Sequence, residues 1–394
     1  MNRGRVGKGT KRRAMETQKE DGTKLSSWIP LDVTIEILLR LPAKSVVRFR
    51  CVSKLWSSMT STPNFIKSFA IHSSARPSIL SCSVKKEEGK RVFFSFPHQQ
   101  DPKNPYTSIL DKFDMMLPKK DACPIFSDLG YVFDVHDSIR GLISFENSKS
   151  IIIWNPTLRH VTLPKPRVSK PWTSLLGYDP IADEHKVLCI SLCEDARKHG
   201  EDPMIFTLGA KEKWRIAKTS PIHPSMKTWR CINGVLYYYG VDCSVVSFDV
   251  KSEKFLTIKK PEGCECDMID DLPNPKHSLI SYKGRLAWIY DGFSRFSRLW
   301  ILEDAEKQEW STSEFEVPLG RSPKNVNYGY LLLCGDTGDD ELIYAPTSTE
   351  GEFCAFFYDL KRNITRKVTY EGIKDRWYKY VWFPNHIESL KSLY

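Results

Sequence analysis

Gly4-Arg5-Val6-Gly7-Lys8-Gly9-Thr10 has the residue types of a phosphate-cradling loop, with a glycine-flanked lysine close to a threonine. The spacing is wrong. Such a loop needs glycine, four residues, then Gly-Lys-Ser/Thr, between a strand and a helix. Cys264-x-Cys266 and Cys189-x3-Cys193 offer thiolates, but neither faces a second ligand pair at zinc spacing. His136-Asp137-Ser138 has the letters of an activated nucleophile. Adjacent residues cannot present nucleophile, base and orienter to one another, so the tripeptide reads as a polar turn. His185, within Asp183-Glu184-His185-Lys186, reads as a solvated turn residue. Tyr237, Tyr238 and Tyr239 read as alternating faces of a strand, one in the core and one at the surface or edge. The sequence assigns no catalytic residue, no metal ligand set and no cofactor.

The elements that must position any site fall into two regions. The first, Trp28 to Phe69, has helical periodicity. Pro30 suits a first helical turn, where its missing N–H is no loss, and the residue before Pro42 is pushed out of the helical region. These signals predict a helix from about Leu31 to Arg40. Ser45 and Ser53 are read as hydroxyl caps starting helices two and three, and Pro63 as the exit. At about 100° per residue, Val33, Ile35, Ile37, Leu38, Leu39 and Leu41 sweep roughly 240° of the first helix. An ordinary surface helix shows a stripe of about 100°. A segment of about 40 residues is also near the size below which a fold needs a metal, a disulfide or a partner. Phe49, Val52 and Trp56 are expected inside. The surplus on Pro30, Ile35, Leu38, Leu41 and Pro42 is expected to face another protein.

This string resembles an F-box, the module by which substrate receptors dock onto the Skp1 adaptor of SCF ubiquitin ligases. The resemblance rests on Pro30, Glu36-Ile37-Leu38, Leu41-Pro42, Arg48-Phe49-Arg50-Cys51-Val52-Ser53-Lys54 and Trp56. It takes the form of the large plant F-box families, with Trp28-Ile29-Pro30 where they more often have Leu-Pro. It implies that Pro30, Ile35, Leu38, Leu41 and Pro42 contact a Skp1-like adaptor.

The composition suits a soluble globular chain, 41% hydrophobic and 27% charged over 394 residues. Residues 1–24 carry eight Lys or Arg against three acids, half of the net charge of +10, and read as a disordered basic tail. For Lys11-Arg12-Arg13 a solvated arm is favoured over a nuclear address. No dense basic stripe with interleaved aromatics follows, so no nucleic-acid partner is expected. No run of 18 apolar residues and no apolar leader is present, so neither a membrane span nor secretion is expected. The eleven cysteines form no regular framework and are expected to be reduced, placing the chain in cytoplasm, nucleus or both.

From about Arg76 the character changes to short runs rich in Val, Ile, Tyr, Phe and Trp, separated by Gly, Pro, Asn and Asp. A unit recurs in which a strand ends at a turn residue and a second strand begins five to eight positions later. The turn positions Asn155, Gly209, Asp249, Glu303 and Asp359 lie 54, 40, 54 and 56 residues apart. Glycine-marked strands precede several units, at Arg140-Gly141, Asn233-Gly234 and Lys283-Gly284. A period near 50 built from four short strands indicates a kelch-like β-propeller. Five units are visible, and a degraded sixth is placed at roughly Ser78 to Phe113.

This second region resembles the F-box-associated domain found behind plant F-boxes. The matching pieces are Arg140-Gly141-Leu142, Trp154-Asn155-Pro156-Thr157, Leu176-Gly177-Tyr178-Asp179-Pro180, Asp183-Glu184-His185-Lys186-Val187 and Asn385-His386-Ile387-Glu388-Ser389-Leu390. The expected architecture is α+β and multidomain: tail 1–24, a three-helix F-box at 25–70 and a propeller-like domain at 76–390. The resemblance implies a noncatalytic SCF substrate receptor that joins cullin and RING subunits through Skp1 and holds an unidentified target on its propeller. A Skp1-binding scaffold that ubiquitylates nothing and a ligand-binding propeller are the alternatives. Some kelch propellers are copper-radical oxidases, but their Tyr, Cys and His constellation cannot be assembled from this chain.

Overall fold

Proline and hydroxyl caps divide residues 30–74 into four helices in the computed structural model: α1 (Leu31–Arg40), α2 (Ala43–Phe49), α3 (Lys54–Thr60) and α4 (Pro63–Ser74). The structure describes residues 29–393, apart from 86–89, 99–105, 117–136, 147–149, 159, 165, 167–171, 192–200, 211–212, 218–220, 222, 224–228, 265–267, 270–271, 274–276, 291–295, 317–330, 339–340, 347–351 and 374–379. The basic segment with its glycine-rich stretch, Trp28, His136, Cys193 and Cys266 lie outside the described residues.

Each helix start has a local cause. Pro30 precedes α1 and Asp32 sits in its first turn, where a negative charge complements the helix dipole. Ser53 caps α3 by accepting from Leu55 N–H. Helix α2 starts at Ala43, directly behind Pro42, so Ser45 lies inside it and is not its cap. Pro63 marks no exit. It opens α4, because Thr62 accepts from Phe65 N–H and a proline at the first helical position loses no bond. The module therefore has one helix more than the three expected. Leu38, Leu39, Ala43, Val46, Phe65 and Phe69 form its core.

Behind the helices stands a six-bladed propeller of antiparallel sheets. The third to sixth blades each run outward in chain order. They begin with Trp172–Asp179, Trp229–Ile232, His277–Tyr282 and Leu331–Asp336, and each first strand touches the next. The second blade holds Ile143–Glu146, Ser150–Trp154 and His160–Pro164. The first blade is composite. The late strand Tyr380–His386 pairs with Ser78–Lys85, which pairs with Lys90–Pro97 and then Asp111–Met116. A second clasp joins the first blade to the sixth, as Tyr106–Ser108, between strands of the first, pairs in parallel with Ile364–Glu371.

The turns repeat from blade to blade. Arg140-Gly141, Asn233-Gly234 and Lys283-Gly284 each place both residues at positive φ, the two-residue turn whose twist matches the strands it joins. At the other recurring corner an acceptor side chain holds backbone N–H groups two or three residues on. Asn155 holds Thr157, Asp249 holds Ser252, and Asp359 holds Lys361 and Arg362. In the fifth blade this residue is Asp304, one position beyond Glu303, because the ladder shifts register between Leu302 and Asp304. Antiparallel order puts both corner types on one face of the ring.

Stacked blades bury both sides of a strand, and this corrects the reading of the tyrosines. Tyr238 lies in the apolar layer between the third and fourth blades, whereas Tyr237 and Tyr239 pack into the layer toward the fifth. His185 is also buried, its Nε2–H donating to the Ile139 carbonyl. Seven described cysteines are free thiols, while buried Cys243 is disulfide-bonded, against the expectation that all are reduced.

Candidate docking surface

Helix α1 carries apolar side chains on two sides, and the fold uses only one of them. Leu38 (2% exposed) and Leu39 point into the helical core, with Ile35 and Leu41 half-buried at its edge. Val33 and Ile37 stand 43–46% exposed on the other side, while Ile29 and Leu31 are 52–53% exposed at the helix start, with the exposed Pro30 and Pro42 at the helix ends. Fully burying one such side chain is worth about 1.5–3 kcal/mol, so a partner covering this face gains substantially.

Four of the five expected contacts stay available in whole or part: Pro30 and Pro42 outside, Ile35 and Leu41 at the rim. Leu38 is buried instead, since α4 supplies Phe65 and Phe69 to cover it. Val33 and Ile37, outside the expected set, are exposed as well. Their one-turn spacing puts them about 120° and 160° around the helix from Leu39, which separates them from the core stripe. Val52, expected inside, is 67% exposed in the turn before α3. Phe49 and Trp56 do pack together edge to face, with centroids 5.3 Å apart.

The module sits on the corner face of the propeller and is held there by several polar contacts. Lys44 Nζ lies 2.6 Å from Asp111 Oδ1 and over the Phe113 ring. Arg140 Nη1 donates to Ser74 Oγ, and Arg76 donates to the Leu39 and Arg40 carbonyls that end α1. The chain after Tyr380–His386 runs between the two bodies. Glu388 Oε2 accepts from Ala43 N at the start of α2, where proline has ended the previous helix and the first N–H groups lack partners. Leu390, 2% exposed, completes the helical core. Asn155 Nδ2 donates to the Ser389 carbonyl, which anchors the same segment on the second blade.

The polar clusters in the propeller act as struts. Asp137 Oδ2 accepts from Cys231 N and faces the buried Arg230 guanidinium at 3.7 Å; burial raises its carboxyl, and Arg230 opposes that. Ser138 Oγ and His386 Nδ1 are hydrogen-bonded at 2.7 Å. Burial drives His386 down to about 4, and among the described residues no carboxylate orients the imidazole, as a nucleophile's base requires. Among the described residues no group of three or more His, Cys, Asp or Glu side chains could hold a metal ion, and no helix is long and apolar enough to cross a membrane.

Comparison with known proteins agrees with both bodies. Residues 26–68 match the F-box domain, and residues 79–389 match the F-box associated beta propeller domain. The chain belongs to the F-box proteins that carry this propeller. Among its relatives in Arabidopsis thaliana, "Putative F-box protein At1g47790" is 40% identical, over 97% of this chain and 98% of its own. "Putative F-box protein At4g21240" is 38% identical, over 98% and 94%. "F-box protein DOR" is 34% identical over 88% of each. The F-box is thus the helical body, and the associated propeller is the ring on which it rests.

Proposed function

We propose that this F-box protein is the substrate-recognition subunit of an SCF-type E3 ubiquitin ligase. The observation that supports this reading is the exposed apolar face of α1 on a body of the F-box family. In this reading Ile29, Pro30, Leu31, Val33, Ile37 and Pro42, with the rims of Ile35 and Leu41, hold a Skp1-like adaptor. Cullin and RING subunits join through that adaptor, and the propeller holds the target. The chain itself is noncatalytic. It raises the effective concentration of a target lysine at the ubiquitin-loaded enzyme, and the chemistry belongs to other subunits. It works in cytoplasm, nucleus or both, with neither nucleic acid nor membrane as a partner.

The test is reconstitution. The purified chain with a Skp1-like adaptor, cullin and RING protein is expected to form one complex and to ubiquitylate a protein that co-purifies with the propeller. Failure of the adaptor to bind sinks the proposal, and assembly in which no co-purifying protein is modified favours the scaffold reading.

A further inference from the structure

The outer strand of the sixth blade, Ile364–Glu371, does not end its sheet, because Tyr106–Ser108 adds to it in parallel. The outer strand of the fourth blade, Lys254–Ile258, is paired on one side only, by Val245–Asp249. Among the described residues nothing pairs with its other side, so alternate N–H and C=O groups face outward as a template for one more strand. Phe255 and Ile258 turn into the layers toward the third and fifth blades, while Lys254, Leu256 and Thr257 are exposed. Four lysines lie along this edge: Lys251 in the turn before it, Lys254 at its start, and Lys259 and Lys260 directly after it. All four are exposed, and among the described residues none of their ammonium groups makes a hydrogen bond or an ion pair. The acids nearby in sequence are engaged or lie past the strand. Glu253 accepts from both Lys186 and Arg215, Asp249 accepts from the Ser252 N–H, and Glu262 follows Pro261. The next two blades differ. The outer strand of the fifth, Glu309–Glu316, carries three glutamates, and in the sixth Arg366 and Lys367 are paired with Glu341 and Glu352.

We infer that this edge takes an extended acidic segment of the target as a fifth strand of the fourth blade, with carboxylates on the four lysines and an apolar side chain beside Leu256. Backbone bonds to the edge supply the affinity, and the lysines steer an acidic partner to it and fix its register. The sixth blade supplies the precedent within this chain, since its outer strand already accepts an extended segment. The open backbone edge selects a peptide over a nucleic acid, which has phosphates for the lysines but no amide ladder to add. The inference rests on the receptor reading, because it names the class of segment by which the target is held.

The probe is a fluorescein-labelled peptide Glu-Val-Glu-Val-Asp-Val-Glu-Glu, read by polarisation on the full chain, with capture of a Skp1-like adaptor measured on the same preparation. Expected is saturable binding that weakens with added salt and disappears for the Gln/Asn twin of the peptide. Lys259→Glu with Lys260→Glu weakens it roughly tenfold, because each reversal turns an attraction into a repulsion. Both positions are exposed and outside the ladder, so adaptor capture and melting temperature stay at their wild-type values. Two further peptides carry N-methyl groups on alternate amides, one in each phase. The phase that faces the edge abolishes binding, and the phase that faces solvent leaves it. Equal binding of the Gln/Asn twin, equal binding of the two N-methyl peptides, or unchanged binding by the double variant overturns the inference. Displacement of the peptide by a single-stranded oligonucleotide also overturns it, in favour of a phosphate site on the lysines. Adaptor capture without peptide binding refutes the edge site and leaves the receptor reading standing. Peptide binding without adaptor capture does the reverse.

Discussion

Glu388 Oε2 accepts a 3.0 Å hydrogen bond from Ala43 N, across 345 positions of sequence. Burial raises the Glu388 carboxyl, while the Ala43 N–H and then Arg76 oppose that. A raised acid binds its proton more readily folded than unfolded. Its contribution is therefore present at low pH and lost as pH rises through the raised pKa. Glu388→Gln keeps an acceptor for Ala43 and removes the titration, so it is expected to melt at or above wild type at pH 7, with the difference closing toward pH 4.5. Glu388→Ala orphans the N–H and costs about 1–3 kcal/mol. Melting curves of both variants at the two pH values decide this, and a Gln variant as unstable as the Ala variant at pH 7 refutes it.

Leu390 fills the helical core from the far end of the chain. Leu390→Ala is expected to cost about 2–5 kcal/mol, as for other buried leucines. The loss is local. Amide hydrogen exchange speeds up in α1 and α4, while the third to fifth blades keep their protection. Uniform acceleration through the whole chain would contradict this.

The two sides of α1 predict a split between binding and folding. Ile37→Asp changes an exposed residue, so it abolishes capture of a Skp1-like adaptor and leaves the melting temperature alone. Leu38→Asp buries an unpaired charge and lowers both. Pull-down and thermal melting run on the same preparations separate the two, and the pattern fails if Ile37→Asp also unfolds the chain.

His185 and His386 are held at about 3 and about 4 by burial. Both lie below the ordinary histidine value, so between these values and about pH 6.5 the unfolded chain binds more protons. Their stabilisation is present above that range and is lost as pH falls, at up to about 1.4 kcal/mol per pH unit for each. Urea midpoints are expected to drop between pH 7 and pH 4.5, and less steeply for His386→Asn. An equal slope in that variant excludes His386 as a cause.

Gly141 has φ +83, and an added Cβ would lie 2.5 Å from the Ile387 carbonyl oxygen and 2.7 Å from Ser389 Cβ. The backbone conformation alone costs an alanine about 1–2 kcal/mol. Gly141→Ala is expected to lift the segment 387–390 and weaken adaptor capture. Gly209→Ala, with nothing within 4 Å, bears only the conformational penalty. Equal melting temperatures for the two variants would argue against the close approach.

The legible parts of this fold were those with local causes. Pro30, Pro42 and Ser53 bound helices because their effects reach only a few residues, and Arg140-Gly141 and Asp249 make turns by themselves. Pro63 was misread because the same residue ends one helix and opens another, and Thr62 decides which. The sides of α1 could not be assigned because Phe65 and Phe69, which cover Leu38, come from a helix that the sequence reading had not placed. The pairing of Tyr380–His386 with Ser78–Lys85 and the seat of Leu390 depend on contacts some 300 residues apart or more, which leave no periodic trace. For the docking surface, a helix with too many apolar residues was readable, but not which of them the rest of the chain claims.

The seat of Leu390 also sets an order of events during synthesis. The F-box helices leave the ribosome first, but their core lacks one side chain until residue 390 has been made and the ring has closed through Tyr380–His386. A chain cut short in its last blade carries an F-box with an open core and an unclosed ring. Under the proposed receptor function, such a shortened chain is expected to capture a Skp1-like adaptor less tightly than the full one.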